Sequence, residues 1–235
     1  MTTNSPIASL GVAGPSRNSL LTRQWFLVFT LTYGTWVALP WLAPVLMHFG
    51  RDAAGRAIYS VYSVFCHQLP ERSFFLFGPD AMYSLRVIQA VWQDSANPLI
   101  LRQFIGNPEM GWKVGWSDRM VWFYTTIWLA GFLWRPWRRR ISPIAWWGFA
   151  LMLLPLAVDG VTHMLSDLSG IGNGFRDTNA WLFRLAGNSL PLVYGGDALG
   201  SFNSWARLTS GVLAGIAIAW LVFPHLERSL DEEPI

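Results

Sequence analysis

Four long apolar stretches constrain the fold of this chain most strongly, because a helix of about 20 apolar residues matches the hydrocarbon core of a bilayer. The first stretch covers about residues 25–47 and contains no charged residue. Three more follow, at about 120–134, 143–158 and 208–223. We therefore predict an all-α integral membrane bundle of about four transmembrane helices.

The composition supports a membrane protein. Hydrophobic residues make up 52% of the chain and charged residues only 13%, whereas soluble domains carry about 25% charge. Fifteen tryptophans agree with the enrichment of Trp at bilayer interfaces. Basic residues are not interleaved with aromatics on a soluble domain, so we predict no nucleic-acid partner. The predicted partners are the lipid bilayer and other membrane subunits.

Arginine placement predicts the orientation, because cytoplasmic loops are enriched in Lys and Arg. Arg17 and Arg23 precede the first stretch, the run "RPWRRR" separates the second from the third, and Arg228 follows the fourth. Four spans place these segments on one side, so both termini are predicted to be cytoplasmic. The connections 48–119 and 159–207 then form two partly helical extracytoplasmic loops. The predicted organisation is a flexible tail (1–23), a polytopic domain (24–226) and a cytoplasmic C-terminal tail (227–235).

The stretch "FCHQLPERS" puts unusual polar chemistry into the first outer loop. It holds Cys66, the single cysteine of the chain, beside His67, with Gln68 and Arg72 close behind. We predict that a helix over 57–67 leads into it. The thiol and imidazole are either metal ligands, or a buried thiol beside a histidine that bonds to a carbonyl. Gln68 and Arg72 are candidate ligand-binding residues.

A second polar constellation lies at the outer ends of the second and third stretches. Asp159 and His163 are four residues apart and so share one helix face. A carboxylate and an imidazole at this spacing can share a metal ion, transfer a proton, or simply hydrogen bond to each other. Asp118 and Arg119 stand at the mouth of the second stretch and are further candidate ligand-binding residues.

Two similar strings in the second outer loop supply the remaining candidates. "NAWLFRLAG" begins at Asn179, and "NSWARLTSG" contains Arg207. Interfacial helices with an Asn cap and a Trp anchor explain both strings without a ligand. Asn179 and Arg207 are nevertheless included among the predicted ligand-binding residues.

The motifs together resemble a family of small prokaryotic membrane proteins of unknown function. Members carry C-H-Q-x-P-x-R-S, then C-x-R-C-T-G-x-Y, then D-G-x-T-Q, and finally Asn and Arg before a Gly-rich span. Here these motifs correspond to Cys66 with Arg72, then Arg119, then Asp159. The resemblance covers about residues 59–215 and implies a multi-pass protein of the prokaryotic inner membrane.

Three of the departures from the family bear on metal binding. Ser117 and Met120 replace the two cysteines of C-x-R-C, and His163 replaces the glutamine of D-G-x-T-Q. If the family's cysteines and histidine bind a metal, the remaining quartet of Cys66, His67, Asp159 and His163 still offers ligands that zinc accepts.

Three hypotheses about function remain open from the sequence. The first is an accessory or structural membrane subunit with a polar extracytoplasmic site. The second is a metal- or small-molecule-binding membrane protein that uses the quartet, with zinc as an example of its metal. The third is a membrane hydrolase in which Asp159 and His163 form the acid–base pair.

Overall fold

The computed structural model describes residues 18–187, 189 and 191–231. Residues 1–17 and 232–235, which belong to the two predicted tails, lie outside this range. Helix α1 already begins at Asn18 and helix α10 continues to Asp231. The parts of the predicted tails that the structure describes are therefore helical.

The described chain is mostly helical, with thirteen labelled elements. In chain order they are α1 (Asn18–His48), α2 (Asp52–Tyr62), β1 (Ser73–Leu76), α3 (Leu85–Val91), α4 (Pro98–Leu101), β2 (Gly106–Asn107), β3 (Gly111–Ser117), α5 (Asp118–Trp134), α6 (Trp146–Asp167), α7 (Phe175–Thr178), α8 (Ala180–Leu185), α9 (Pro191–Tyr194) and α10 (Phe202–Asp231). Short 3-10 turns cover Pro70–Arg72 and Arg135–Trp137.

Three helices in the described part of the chain are long and apolar enough to cross a bilayer. They are Gln24–His48 in α1, Trp146–Asp167 in α6, and Phe202–Leu230 in α10. The remaining predicted span, at about residues 120–134, corresponds to α5, which has 17 residues and a length of about 26 Å. That length falls short of a hydrocarbon core of about 30 Å. The prediction of a mostly helical chain with apolar helices of membrane-spanning length is thus confirmed, while the count of four spans is not.

Helices α5 and α10 pack closely because small residues line their contact. A Cβ atom built on Gly215 would lie 2.7 Å from Thr126 Cβ and 2.8 Å from the carbonyl oxygen of Phe123. A Cβ on Gly211 would lie 3.0 Å from the carbonyl oxygen of Arg119. The G-x-x-x-G spacing of these glycines therefore lets the two backbones approach each other.

At the other end of the same contact, aromatic side chains fill the space between α1, α5 and α10. Phe26, Trp134 and Phe223 are buried together there. The ring centroids of Trp134 and Phe223 are 5.5 Å apart. This cluster joins the three helices near the arginine-rich segment that follows α5.

The segment between α1 and α5, which we call the first outer connection, contains a three-stranded antiparallel sheet with strand order β1-β3-β2. The all-α prediction was wrong here. Residues from Lys113 to Trp116 in β3 are buried in succession, so this strand lacks the alternation of polar and apolar residues that marks a half-exposed strand. The pairing of Ser73 with Ser117 places the end of "FCHQLPERS" beside the first residue of α5.

The predicted helix over 57–67 is also shorter than expected. Helix α2 ends at Tyr62, so Cys66 and His67 lie beyond it in an irregular segment. Gln68 adopts a left-handed backbone with φ of 53°, which is uncommon for residues other than glycine. The chain thus turns away from the helix before Pro70.

We predict that Gly215→Ala lowers the free energy of unfolding by about 1–3 kcal/mol, the usual cost of overpacking. The added methyl group would press on the Phe123 backbone, which cannot rotate away. Thermal unfolding in detergent measures the effect. Gly160→Ala is the matched control, because its Cβ would find only Arg119 Nη1, at 3.6 Å. Equal stability of the two variants would contradict close α5–α10 packing.

Candidate functional site: a buried ionic cluster

Three helices bring charged residues together at one end of the bundle. The first turn of α5, the last two turns of α6 and the second turn of α10 meet there, and the outer segments fold over them. We call the resulting group the ionic cluster. Its members are four arginines, four aspartates and one histidine: Arg72, Arg119, Arg176, Arg207, Asp118, Asp159, Asp167, Asp197 and His163.

Arg207 is the centre of the ionic cluster. Its Nε lies 2.7 and 2.8 Å from the two carboxylate oxygens of Asp118. Its Nη1 lies 2.6 Å from Asp197 Oδ1, and its Nη2 donates to the Asp197 carbonyl oxygen at 2.7 Å. Arg207 and Asp118 are 1% and 0% exposed. One guanidinium thus ties α10 to the start of α5 and to the loop before α10.

Arg72 attaches the first outer connection to the same loop and to α6. Its Nε donates to Asp197 at 2.8 Å, and its two terminal nitrogens form a bidentate pair with Asp167 at 2.7 and 2.8 Å. Burial favours the neutral acid in Asp197, but the guanidiniums of Arg72 and Arg207 outweigh it and hold the pKa of Asp197 well below its usual value. Asp197 is therefore an anion at neutral pH.

Asp159 forms the second centre of the ionic cluster. Its two oxygens accept hydrogen bonds from Arg119 and Arg176, each at 2.7 Å. Nδ1 of His163 lies 3.2 Å from Asp159 Oδ1 and 3.0 Å from the Asp159 carbonyl oxygen. The predicted contact between Asp159 and His163 on one face of α6 is present.

The imidazole of His163 lies between the two centres. Its Nε2 is 3.7 Å from Asp197 Oδ1 and makes no hydrogen bond to any residue that the structure describes. The side chain is 4% exposed. The imidazole is therefore almost completely screened from solvent and lies between two carboxylates.

Asn179 lies in the second outer connection, which is the segment between α6 and α10, and it helps to position a member of the ionic cluster. Its side-chain amide donates to the Tyr194 carbonyl oxygen at 2.7 Å and to Asn203 Oδ1 at 3.0 Å. Asn203 in turn donates to the Arg176 carbonyl oxygen at 2.8 Å. The two asparagines from the similar strings thus bind each other and hold Arg176 in place.

Cys66, His67 and Gln68 lie outside the ionic cluster. The Cys66 thiol is buried and lies 3.5 Å from Ser117 Oγ, whereas His67 is exposed. The Gln68 amide donates to the carbonyl oxygens of Tyr59 and Gly115, each at 2.9 Å. These contacts fasten α2 and the segment after it to β3.

The metal hypothesis finds no support in the geometry. Among residues 18–187, 189 and 191–231, no group of three or more His, Cys, Asp or Glu side chains is arranged to hold a metal ion. Of the predicted quartet, Asp159 and His163 meet in the ionic cluster. Cys66 instead packs in an apolar cluster that includes Tyr62 and Trp116.

Two further buried ionisable residues, Glu71 and Lys113, lie close to the ionic cluster. Both are fully or almost fully buried. Burial raises the pKa of Glu71 to about 7, although Arg72 opposes the shift. Burial lowers the pKa of Lys113 to about 7, although Glu71 opposes that shift. Nζ of Lys113 donates to the carbonyl oxygens of Gln68 and Arg102, each at 2.7 Å.

Sequence reasoning missed five residues that the site uses: Glu71, Lys113, Asp167, Arg176 and Asp197. Asp167 could have been predicted from the sequence, because Asp159, His163 and Asp167 repeat at intervals of four on one helix face. No local sequence pattern indicated Asp197, since it lies in a Gly-rich loop and its partner Arg72 is 125 residues away.

Comparisons with known proteins do not identify a biochemical activity for this chain. No protein-family model matches the sequence, and no solved structure matches it. The chain is similar to an uncharacterised protein of Methanocaldococcus jannaschii, with 23% identity over 211 residues. The alignment covers 86% of this chain and 92% of that protein.

We predict that Asp197→Asn lowers the free energy of unfolding by about 3–5 kcal/mol, the usual cost of removing one partner of a buried ion pair. The substitution keeps the shape but leaves Arg72 and Arg207 without their shared anion. Thermal unfolding in detergent checks it. Asp94→Asn is the matched control, because Asp94 is exposed. A stability of Asp197→Asn equal to that of the control would show that the ionic cluster does not stabilise the fold.

We predict that stability falls as pH rises from about 4.5 to about 7, and that Glu71→Gln reduces this fall. The folded state holds a proton on Glu71 up to a pKa of about 7, against an ordinary value of 4.5. The folded state therefore binds more protons in this window, and stability decreases with pH by up to about 3 kcal/mol. Thermal midpoints across this range measure it, with the exposed Glu109→Gln as control. A fall of unchanged size in Glu71→Gln would rule out Glu71 as a source.

Proposed function

We propose that this chain is a four-span accessory or structural subunit of a prokaryotic plasma membrane, with both termini cytoplasmic and the ionic cluster on the extracytoplasmic side. One observation carries the proposal. In the ionic cluster each arginine contacts a carboxylate of the same chain, and the cluster joins α5, α6 and α10 to both outer connections. Such an arrangement fixes a shape rather than presenting a charged group to a substrate.

Two observations support the placement of α5 in the bilayer as an additional span. It packs along α10 through Gly211 and Gly215 over most of its length, with Gly131 against Phe223 near its end. The 3-10 turn Arg135–Trp137 then extends it by one turn towards the arginine run. With α5 in the bilayer, α1, α5, α6 and α10 alternate in direction, and the arginines that follow α5 lie on the cytoplasmic side.

A structural role is also favoured over hydrolysis. A general acid or base must reach the substrate within about 3 Å, but His163 is almost fully buried and Asp159 is occupied by two arginines. The Asp–His contact is better explained as part of the ionic cluster.

The proposed membership in the prokaryotic family of unknown function gains support from the same cluster. Arg72, Arg119 and Asp159 come from three separate motifs of that resemblance, and all three are members of the ionic cluster. Motif residues far apart in sequence are expected to meet when they build one shared structure.

The surface that we propose for a partner subunit is the outer face of α6. Trp147, Leu151 and Leu154 are 75%, 60% and 54% exposed, and Val158 and Leu165 continue the same face. Of the three long apolar helices in the described chain, α6 has the smallest buried share. A helix with so little contact inside its own chain has a broad apolar face for a neighbouring protein.

Cysteine labelling tests the orientation. We predict that Asp80→Cys in a Cys66→Ser background reacts with a membrane-impermeant maleimide in intact spheroplasts, whereas Arg139→Cys reacts only after permeabilisation. Asp80 and Arg139 are exposed, so both are accessible once the reagent reaches their side. Labelling of both cysteines from the same side would exclude the proposed topology.

Photocrosslinking tests the accessory role. We predict that a benzoylphenylalanine at position 151 forms a discrete adduct with another polypeptide in native membranes, identified by mass spectrometry. The same group at the exposed Leu31 of α1 is the control and is expected to yield lipid adducts only. Lipid adducts alone at both positions would remove α6 as a subunit contact.

A further inference from the structure

Helices α1 and α5 leave an apolar groove between them with a volume of about 660 Å³. Val37 and Ala38 of α1 form one wall, and Val121, Trp122 and Thr125 of α5 form the other. Ala38 is exposed while Val37 and Val121 are buried. Val37 and Val121 therefore form the buried bottom of the groove, and the groove is open to the surroundings at Ala38.

Aromatic residues define the outer end of the groove. Trp41 stacks on Phe74 with ring centroids 6.2 Å apart, and Phe74 meets Trp122 edge-on at 6.0 Å. Leu199, from the loop that contains Asp197, also lines the groove. Phe74 and Leu199 each lie two residues from a member of the ionic cluster, so this end is the extracytoplasmic one.

Trp128 closes the deeper part of the groove. Its indole lies against Gly34, where a Cβ atom would come within 3.1 Å of the ring. Its N–H donates to the Thr30 carbonyl oxygen at 3.2 Å. Gly34 and Trp41 are seven residues apart on α1, a distance of about 10 Å. The groove thus follows roughly two-thirds of one leaflet, whose hydrocarbon depth is about 15 Å.

The side chains that line the groove determine which kind of molecule can bind there. Apart from the Thr125 hydroxyl and the indole N–H groups, the lining side chains carry no polar atom. Apolar cavities stay dry, and an empty void loses dispersion contacts along all of its walls. Within a bilayer, the material available to fill such a space is hydrocarbon.

We propose that the groove binds one acyl chain of a phospholipid from the extracytoplasmic leaflet. The chain lies along the α1–α5 contact, with its end against Trp128 and its headgroup beyond the Trp41–Phe74 pair. This inference rests on the proposed four-span arrangement, because it requires α5 within the bilayer. It adds a resident lipid to the structural role of the ionic cluster.

The test uses the full chain in vesicles of phosphatidylglycerol and phosphatidylcholine that contain phosphatidylcholine with a diazirine in its acyl chain. One sample is irradiated in the vesicles. A second is solubilised in detergent and purified before irradiation, so that only retained lipid reacts, and peptide mass spectrometry maps the adducts in both. We expect adducts on the groove residues of α1 and α5 in the second sample.

Ala38→Phe fills the groove and is expected to reduce these adducts at least about tenfold, the change that corresponds to about 1.4 kcal/mol. Ala38→Leu is a milder second variant, and thermal unfolding checks that both fold. Ala150→Phe is the matched control, because Ala150 is exposed on α6, outside the groove. Equal labelling in Ala38→Phe, Ala38→Leu and Ala150→Phe would overturn the proposal.

Two further readouts separate the possible failures. Leu133 is exposed on α5 at 75%, so adducts at Leu133 in the first sample report that α5 lies in the bilayer. Labelled Leu133 with an unlabelled groove would overturn the lipid site alone, whereas unlabelled Leu133 would overturn the four-span arrangement as well. Stoichiometric isoprenoid in organic extracts of protein purified from cells, with no phospholipid, would also overturn the acyl-chain assignment.

Discussion

The contact between Arg207 and the two carboxylates of Asp118 and Asp197 is the interaction on which the rest of the structure depends. A buried guanidinium has a large desolvation cost unless its donors are matched by acceptors. Here Arg207 finds one anion at the start of α5 and another in the loop before α10. Arg72 shares Asp197 and adds Asp167. Two arginines therefore fix the relative positions of three helices and the outer connections.

This arrangement also explains why polar residues occur at the ends of apolar helices. An isolated charge at that depth is costly, but four arginines and four aspartates balance each other within the ionic cluster. The ionic cluster therefore holds the helices together at one end of the bundle. The cluster of Phe26, Trp134 and Phe223 joins α1, α5 and α10 at the other end. Between these two ends α5 and α10 approach closely at Gly211 and Gly215, and the α1–α5 contact leaves room for the apolar groove.

The buried residues Glu71 and Lys113 have a different physical character. Their charges are opposed by burial rather than fully matched by partners, so both pKa values lie near 7. Protonation of these two side chains is therefore coupled to the folding of the first outer connection. Its sheet holds Lys113 in place through β3, next to the left-handed turn at Gln68.

The sequence by itself determined the membrane class, three of the predicted spans and the shared face of Asp159 and His163, because these depend on local apolarity and on helical periodicity. It also marked Arg72, Asp118, Arg119 and Arg207 as candidates. Only the tertiary structure decided that these residues meet in one ionic cluster, that Cys66 lies outside that cluster, and that β3 is a buried strand. The reason is distance along the chain: Arg72 and Asp197 are separated by 125 residues, and no local pattern records which buried charge will neutralise another.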